Sequence, residues 1–274
     1  MTDDLALARR LADLADPISM RYFRSDALGA ETKADGSIVT AADKEIERVL
    51  RAELASAAPA DRVIGEEYGS DADDTGAIGS RYWIIDPIDG TAHFASGKSA
   101  WSTLIGLRVG ETVTVGLASA PALDKRWWAS EEGAWVAPNG GSAVRLGVTD
   151  VDGLAEVRMG MWPVGKRLNE SQRRVWEALS ERVATVRPTA DEGGSLREAT
   201  GNVHGGLMVA EGLLDAYVLL GGGPWDHAAI VPIVTGAGGR FSDLEGGTRV
   251  DTGAGVYTNG KVHDEVLRVI AAAL

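Results

Sequence analysis

The chain has 274 residues, 45% hydrophobic and 24% charged, which is enough apolar content for a sizeable core and too much for a disordered chain. Lys and Arg number 27 against 40 Asp and Glu, and the net charge of −13 excludes nucleic acid and anionic membrane surfaces as default partners. Cysteine is absent, which removes disulfides, thiolate metal sites and a cysteine nucleophile. Met1–Leu5 carries Asp3 and Asp4 rather than a basic leader, and no apolar run approaches the about 18 residues a membrane span needs, so a cytoplasmic location is expected.

Leu7, Leu11, Leu14 and Ile18 recur at helical spacing, with Pro17 as an interior interruption. A turn cluster at 33–37 precedes a second helix opened by Thr40-Ala41-Ala42-Asp43, with Ile46, Val49, Leu50 and Leu54 on one face. Arg62–Gly65 and Tyr82–Ile85 read as short buried strands around a polar loop at 68–80. Strand candidates at 102–109, 112–119, 126–130 and 133–136 predict an antiparallel meander. Turn residues at 140–142 and 150–153 place a boundary near residue 150, dividing the chain into 1–150 and 151–274. The second half alternates strands at 157–161, 183–186 and 216–220 with helices at 170–182, 203–211, 225–236 and 261–274. The class is α+β or α/β, without internal repeats.

Four acidic stations carry the chemistry. Glu66-Glu67 and Asp86-Pro87-Ile88-Asp89-Gly90-Thr91 each follow a strand, Trp225-Asp226 opens a helix, and Asp43 lies in the first turn of another. Pro87 stiffens and Gly90 releases a tight turn able to aim Asp86 and Asp89 at one point. Converging carboxylates repel unless hard cations join them, and Mg²⁺ suits all-oxygen ligands. A helix starting at Gly90-Thr91 would offer free amides and a positive dipole end to a phosphate. Together these features point to metal-assisted phosphoryl transfer to water. Taken singly, each has a plainer reading. Thr40 and Asp43 form a capping box, Glu66-Glu67 a solvated turn, Asp86–Gly90 a tight turn, and Asp226 a helix cap. Zinc is disfavoured because His204 and His227 lack ligand spacing. No Gly-x-Ser-x-Gly elbow is present, and the glycines at 193–194 and 221–223 lack a nucleotide-binding context. Trp127-Trp128 on a strand predicts one ring in the core and one exposed, and His227 is expected at a helix surface or pocket rim.

Taken together, Gly65-Glu66-Glu67, Trp83–Thr91 and Trp225-Asp226-His227-Ala228-Ala229 resemble the signatures of the inositol monophosphatase superfamily, over essentially the whole chain. Ser119–Leu123 with Trp127-Trp128, and Thr258-Asn259-Gly260 with His263-Asp264-Glu265, look like its actinobacterial histidinol-phosphate phosphatase branch. The resemblance implies a layered α-β-α-β-α sandwich, Mg²⁺-dependent hydrolysis of a small phosphomonoester and a homodimer. Glu66, Asp86 and the Ile88 carbonyl would hold one metal, Asp86, Asp89 and Asp226 a second, and a weaker third would lie near Glu66. Asp43 and Thr91 would form a relay that helps deprotonate the attacking water, the Gly90 and Thr91 amides would bind phosphate, and Glu67 would support Glu66.

The departures fall in the substrate pocket. Ala92-His93-Phe94 replaces the family's usual Lys or Thr followed by Asn, which makes His93 a candidate substrate contact or helix cap. Seven residues before Asp226, where the family places a carboxylate, stands Leu219; Asn202 stands where the histidinol branch tends to be acidic. Losing both carboxylates removes the partners of a cationic amine and favours a nucleoside, aromatic or modified-sugar leaving group, with weak turnover of inositol-1-phosphate and histidinol phosphate. The 3′,5′-bisphosphate nucleotidase and fructose-bisphosphatase branches share the metal motif. A catalytically silent metabolite-binding paralogue is the alternative of another class, and the retained Glu66, Asp86, Asp89, Thr91 and Asp226 weigh against it.

Overall fold

A computed structural model describes residues 3–26, 28–33, 36–71, 80–138, 140–188, 197 and 200–274. The glycines at 193–194 and most of the 68–80 loop lie outside the described residues.

Helices α1 (Asp3–Tyr22) and α2 (Ala41–Ala57) pair side by side. They bury Leu5, Leu11, Ile46, Leu50 and Leu54 against one face of an eight-stranded sheet. The buried stripe of α1 runs through Leu5, Ala8, Leu11, Ala12 and Ala15, one step round from the large apolar residues that mark it in the sequence. Small alanines let the helix approach the sheet, while Leu7, Leu14 and Ile18 flank the contact.

The strands of that sheet are β3 (Arg62–Gly65), β4 (Gly69–Ser70), β5 (Arg81–Asp89), β6 (Ser102–Val109), β7 (Thr112–Ala120), β8 (Lys125–Ser130), β9 (Gly133–Pro138) and β10 (Val144–Arg145). Their order is β10-β9-β8-β7-β6-β5-β3-β4, an antiparallel meander with one parallel pair, β3 with β5. A separate two-residue pair joins β1 (Glu31–Thr32) to β2 (Ile38–Val39).

A second, five-stranded sheet holds β11 (Arg158–Trp162), β12 (Thr185–Pro188), β13 (Ala216–Leu219), β14 (Arg240–Ser242) and β15 (Gly255–Thr258), ordered β12-β11-β13-β15-β14. Between the sheets lie the helices Gly205–Ala210, Pro224–Ala228 and Ile230–Gly236, whose apolar residues share one core with Tyr82, Ile84 and Trp127 on one side and Tyr217 and Tyr257 on the other. Helices α4 (Glu170–Ser180) and His263–Ala273 cover the far face of the second sheet through Val175, Leu179, Val266 and Ile270. The result is five layers, α-β-α-β-α, an α+β sandwich as the sequence predicts.

Three details differ from the sequence reading. The helix expected over 225–236 is two, Pro224–Ala228 and Ile230–Gly236, which meet at Ala229 with its backbone still helical (φ −68°, ψ −32°); Pro232 has no amide to donate to the Ala228 carbonyl, so the hydrogen-bond ladder is interrupted there. Trp127 and Trp128 are both buried: alternation sends Trp127 into the middle layer and Trp128 beneath the Arg9 guanidinium, 4.2 Å from its ring centroid. His227 is fully buried rather than at a rim, its Nδ1 2.7 Å from the Tyr257 hydroxyl.

Candidate active site

The site forms where β3 and β5 end and the helix Pro224–Ala228 begins. Along β5, Tyr82 and Ile84 face the middle layer, whereas Trp83 and Ile85 face α1 and α2. Strict alternation would send Asp86 and Asp89 to opposite faces, since they are three residues apart. The pairing with β6 slips between them: Asp86 sits opposite Leu104 and Asp89 opposite Ser102. This bulge inserts one residue at Pro87–Ile88, turns Ile88 into the outer core and returns Asp89 to the inner face beside Asp86. Thr103 Oγ1 donates to the Pro87 carbonyl at 2.8 Å and pins the bulge. Gly90 follows at φ 85°, a left-handed conformation that glycine adopts without strain, and Thr91–Ala95 forms helix α3.

Pro224 opens the helix that brings in Asp226, and the Gly223 amide donates to Asp226 Oδ2 at 2.7 Å. Carboxylate oxygens of Asp86, Asp89 and Asp226 then all lie within 4.8 Å of one another. Asp86 Oδ1 is buried without a hydrogen-bond partner. The donor set is all oxygen and the only protein cation bonded to the triad, among the described residues, is Arg197, whose Nη1 lies 3.3 Å from Asp89 Oδ2. Two buried carboxylates and a half-buried third with one guanidinium are under-compensated, so the residues fit a cation with oxygen ligands. Their protonation says the same. Burial, then Glu66, Asp89 and Asp226, hold Asp86 well above the usual carboxylate range. Burial raises Asp89 against the pull of Arg197, and burial with Asp89 pushes Asp226 up to about 7.

Glu66 stands next to this triad, close enough for its carboxyl and that of Asp86 to act on one another, and its Oε1 lies 3.0 Å from Lys33 Nζ. Lys33 also reaches Glu67 Oε1 at 2.8 Å. Burial raises Glu66, and Lys33 partly offsets the rise.

Asp43 serves the capping box: its Oδ2 accepts from the Thr40 amide at 2.8 Å and the Thr40 hydroxyl at 2.5 Å. The plainer reading of this residue is therefore present, yet Oδ1 remains buried and unpartnered. Burial pushes Asp43 up to about 7, against the Thr40 bonds and with Glu67 and Glu66 adding to the rise. No hydrogen bond joins Asp43 to Thr91, whose Oγ1 donates instead to the Ile88 carbonyl at 3.0 Å.

The pocket residues divide. His93 is buried, with Nδ1 3.1 Å from the Ala100 carbonyl. Asn202 is buried and its Oδ1 accepts from the Val203 and His204 amides, while its Nδ2 lacks a partner. Leu219 closes β13 with its side chain in the middle core. Beside it, the 221–223 glycines let two indoles close in: a Cβ on Gly221 would meet the Trp162 ring at 3.3 Å, and one on Gly223 the Trp225 ring at 2.4 Å.

Arg197 is the residue sequence reasoning missed. Its neighbourhood carries no motif, and its salience comes only from burial beside Asp89.

The model of the inositol monophosphatase family matches residues 1–273. The chain belongs to the inositol monophosphatase family. Within the family, histidinol-phosphatases of Streptomyces coelicolor and Mycobacterium tuberculosis are 38% and 37% identical to it, each over 97% of this chain and 96% of the relative. Among solved structures, the Thermotoga maritima IMPase superposes with a TM-score of 0.79 at 27% identity, covering 99% of this chain and 98% of that one. The inositol monophosphatase fold thus carries here a phosphomonoesterase, a phosphoric monoester hydrolase with an acidic cluster that fits metal binding.

Proposed function

We propose that the protein is a Mg²⁺-dependent phosphatase of a small phosphomonoester with a nucleoside, aromatic or modified-sugar leaving group. The convergence of Asp86, Asp89 and Asp226 carries the metal part of this reading. These carboxylates, the Ile88 carbonyl and Glu66 would hold two or three ions. Mg²⁺, when bound, lowers the pKa of water and neutralises charge on phosphate and on the departing alkoxide. The chain's own part is to orient and to hold a proton. The Gly90 and Thr91 amides would take the phosphate oxygens. Thr91 would exchange its bond to the Ile88 carbonyl for one to Asp43 Oδ1, the oxygen left without a partner, and Asp43 would receive the proton that attack releases. Residues 1–150 would supply Asp43, Glu66, Asp86 and Asp89, and residues 151–274 would supply Asp226 and the substrate pocket.

The leaving-group preference rests on the half-buried Trp162 and Trp225 indoles beside the glycine loop, with Leu219 packed in the core behind them where the family resemblance expects a carboxylate to grip an amine. His93 contributes through the loop it braces, since its ring bonds the Ala100 carbonyl. A second reading, histidinol phosphate as substrate, is favoured by the two histidinol-phosphatases at 37–38% identity. A phosphate-release screen with Mg²⁺ over nucleotides, sugar phosphates, inositol-1-phosphate and histidinol phosphate separates the readings. The first expects the best kcat/KM for a nucleoside, aromatic or modified-sugar phosphate and weak turnover of inositol-1-phosphate; a best value for histidinol phosphate selects the second. Release from none of them, at any Mg²⁺ concentration, returns the protein to the silent paralogue. A cytoplasmic homodimer belongs to the same proposal by family resemblance, and cell fractionation and light scattering test it.

A further inference from the structure

The turn that presents Glu66 is a tight hairpin. Gly65 of β3 pairs with Gly69 of β4, leaving Glu66, Glu67 and Tyr68 between them. Two amides of that turn find their acceptor outside the sheet, on α2. Glu47 Oε2 accepts from the Glu67 amide at 2.7 Å and Oε1 from the Tyr68 amide at 3.2 Å. Arg51, one helical turn further on, donates Nε to Glu47 Oε1 at 2.8 Å and Nη2 to the Gly69 carbonyl, while its Nη1 meets Asp71. The turn from Glu67 to Gly69 is therefore gripped by one ion pair, its carboxylate fully buried and its guanidinium half-buried. Glu47 is fully buried, a placement a carboxylate adopts only with its lone pairs filled. Gly65 is part of the device, because a Cβ there would lie 2.0 Å from Glu47 Oε1. With the backbone held from the α2 side, the Glu66 carboxyl is directed to Asp86 and the Glu67 carboxyl to Lys33.

We propose that the Glu47–Arg51 pair is a positioning strut: it fixes the 65–69 turn so that Glu66 meets the Asp86 cluster, and so sets the metal affinity of the site. This rests on the metal reading above. Glu47 touches neither the reacting atoms nor the triad, and its influence passes through the Glu67 and Tyr68 amides.

Calorimetric titration of metal-stripped protein with Mg²⁺ alone tests it without recourse to activity. Glu47→Gln keeps the volume but turns an NH₂ group toward a backbone amide, and Arg51→Lys keeps the charge but loses the fork that reaches Gly69. Each folded variant is expected to bind Mg²⁺ about 10-fold to 100-fold more weakly, as outer-sphere changes at metal sites do. Substrate KM at saturating Mg²⁺ should stay near wild type, a split that a general loss of stability does not produce. Should Glu47→Gln not fold, Arg51→Lys decides alone. Wild-type Mg²⁺ affinity in either folded variant overturns the strut. Asp86→Asn keeps the two failures apart: if it too binds Mg²⁺ like wild type, the metal reading has failed; if only it loses binding, the strut alone has failed.

Discussion

Asp86 concentrates the cost of the site in one side chain. It is buried among Glu66, Asp89 and Asp226, with one oxygen unpartnered. Asp86→Asn removes a charge from that crowd and should lower phosphate release by about three orders of magnitude, several kcal/mol of barrier. The same change should leave the metal-stripped protein at least as stable as wild type, because a repulsion is relieved. Thermal unfolding in EDTA and then in Mg²⁺ checks both halves: wild type gains stability with Mg²⁺ and the variant does not. Wild-type turnover in Asp86→Asn would remove it from the metal assignment. Leu219 bears on choice of substrate. Leu219→Glu places a carboxylate in the apolar core at the end of β13 and should lower stability; in the protein that still folds, it should shift the kcat/KM ratio of histidinol phosphate over inositol-1-phosphate upward by about 10-fold or more, in line with a gained charge-assisted bond. An unchanged ratio in folded protein would mean that Leu219 does not face the leaving group.

At the scale of elements, the helix His263–Ala273 is tied to the second sheet by a buried histidine. His263 Nε2 lies 2.9 Å from the Ser242 hydroxyl on β14 and Nδ1 3.0 Å from the Thr258 hydroxyl on β15. The Ser242 hydroxyl donates to the Asp243 carbonyl, which leaves its oxygen to accept from Nε2 of the ring. Burial, with Arg240 adding, pulls its pKa down to about 4, below the about 6.5 of an unfolded chain. Between those values the unfolded state binds the extra proton. The stabilisation is complete above about pH 6.5 and drains away as pH falls toward 4. Urea unfolding of wild type and His263→Asn from pH 7.5 to pH 4.5 should show a stability gap that narrows on acidification. A gap constant with pH would mean that His263 titrates alike in both states.

Legibility also varied by element. The meander at 102–136 was readable because turn residues break its apolar runs: Gly110 between β6 and β7, Pro121 and Asp124 between β7 and β8, and Gly133 at the start of β9. Strands β14 and β15 escaped because they are three and four residues long and set among glycines at 236, 238, 239, 246, 247, 253 and 255. Their extended state comes from pairing with each other and with β13, which no local signal encodes.

For the whole molecule, the layers meet with almost no spacing. A Cβ on Gly106 would lie 2.8 Å from the Ala228 backbone, and one on Gly116 only 2.1 Å from the Ala229 carbonyl oxygen. These two glycines, on β6 and β7, let the middle helices lie directly on the sheet that carries Asp86 and Asp89. Gly116→Ala should therefore push that layer away, destabilise the protein by about 1–3 kcal/mol or more, and weaken Mg²⁺ binding by displacing Asp226. Chemical denaturation and Mg²⁺ titration measure the two effects together. Loss of stability with unchanged affinity would show that the Asp226 helix adjusts independently of the layer.

The sequence by itself determined the acidic stations, the α+β class and the family signatures, because strand ends, turn residues and carboxylate spacing are local properties of the chain. It also marked Leu219 and Asn202 as departures. The tertiary structure decided the rest. A bulge put Asp86 and Asp89 on one face, a neighbouring helix closed the triad with Asp226, and Arg197 arrived beside Asp89 from a stretch without a motif. It also left Asp43 shared between a helix cap and an open oxygen, and sent Trp128, His93 and His227 inward. Such outcomes depend on which surfaces meet across the layers, and a one-dimensional pattern holds no distance between residues far apart along it.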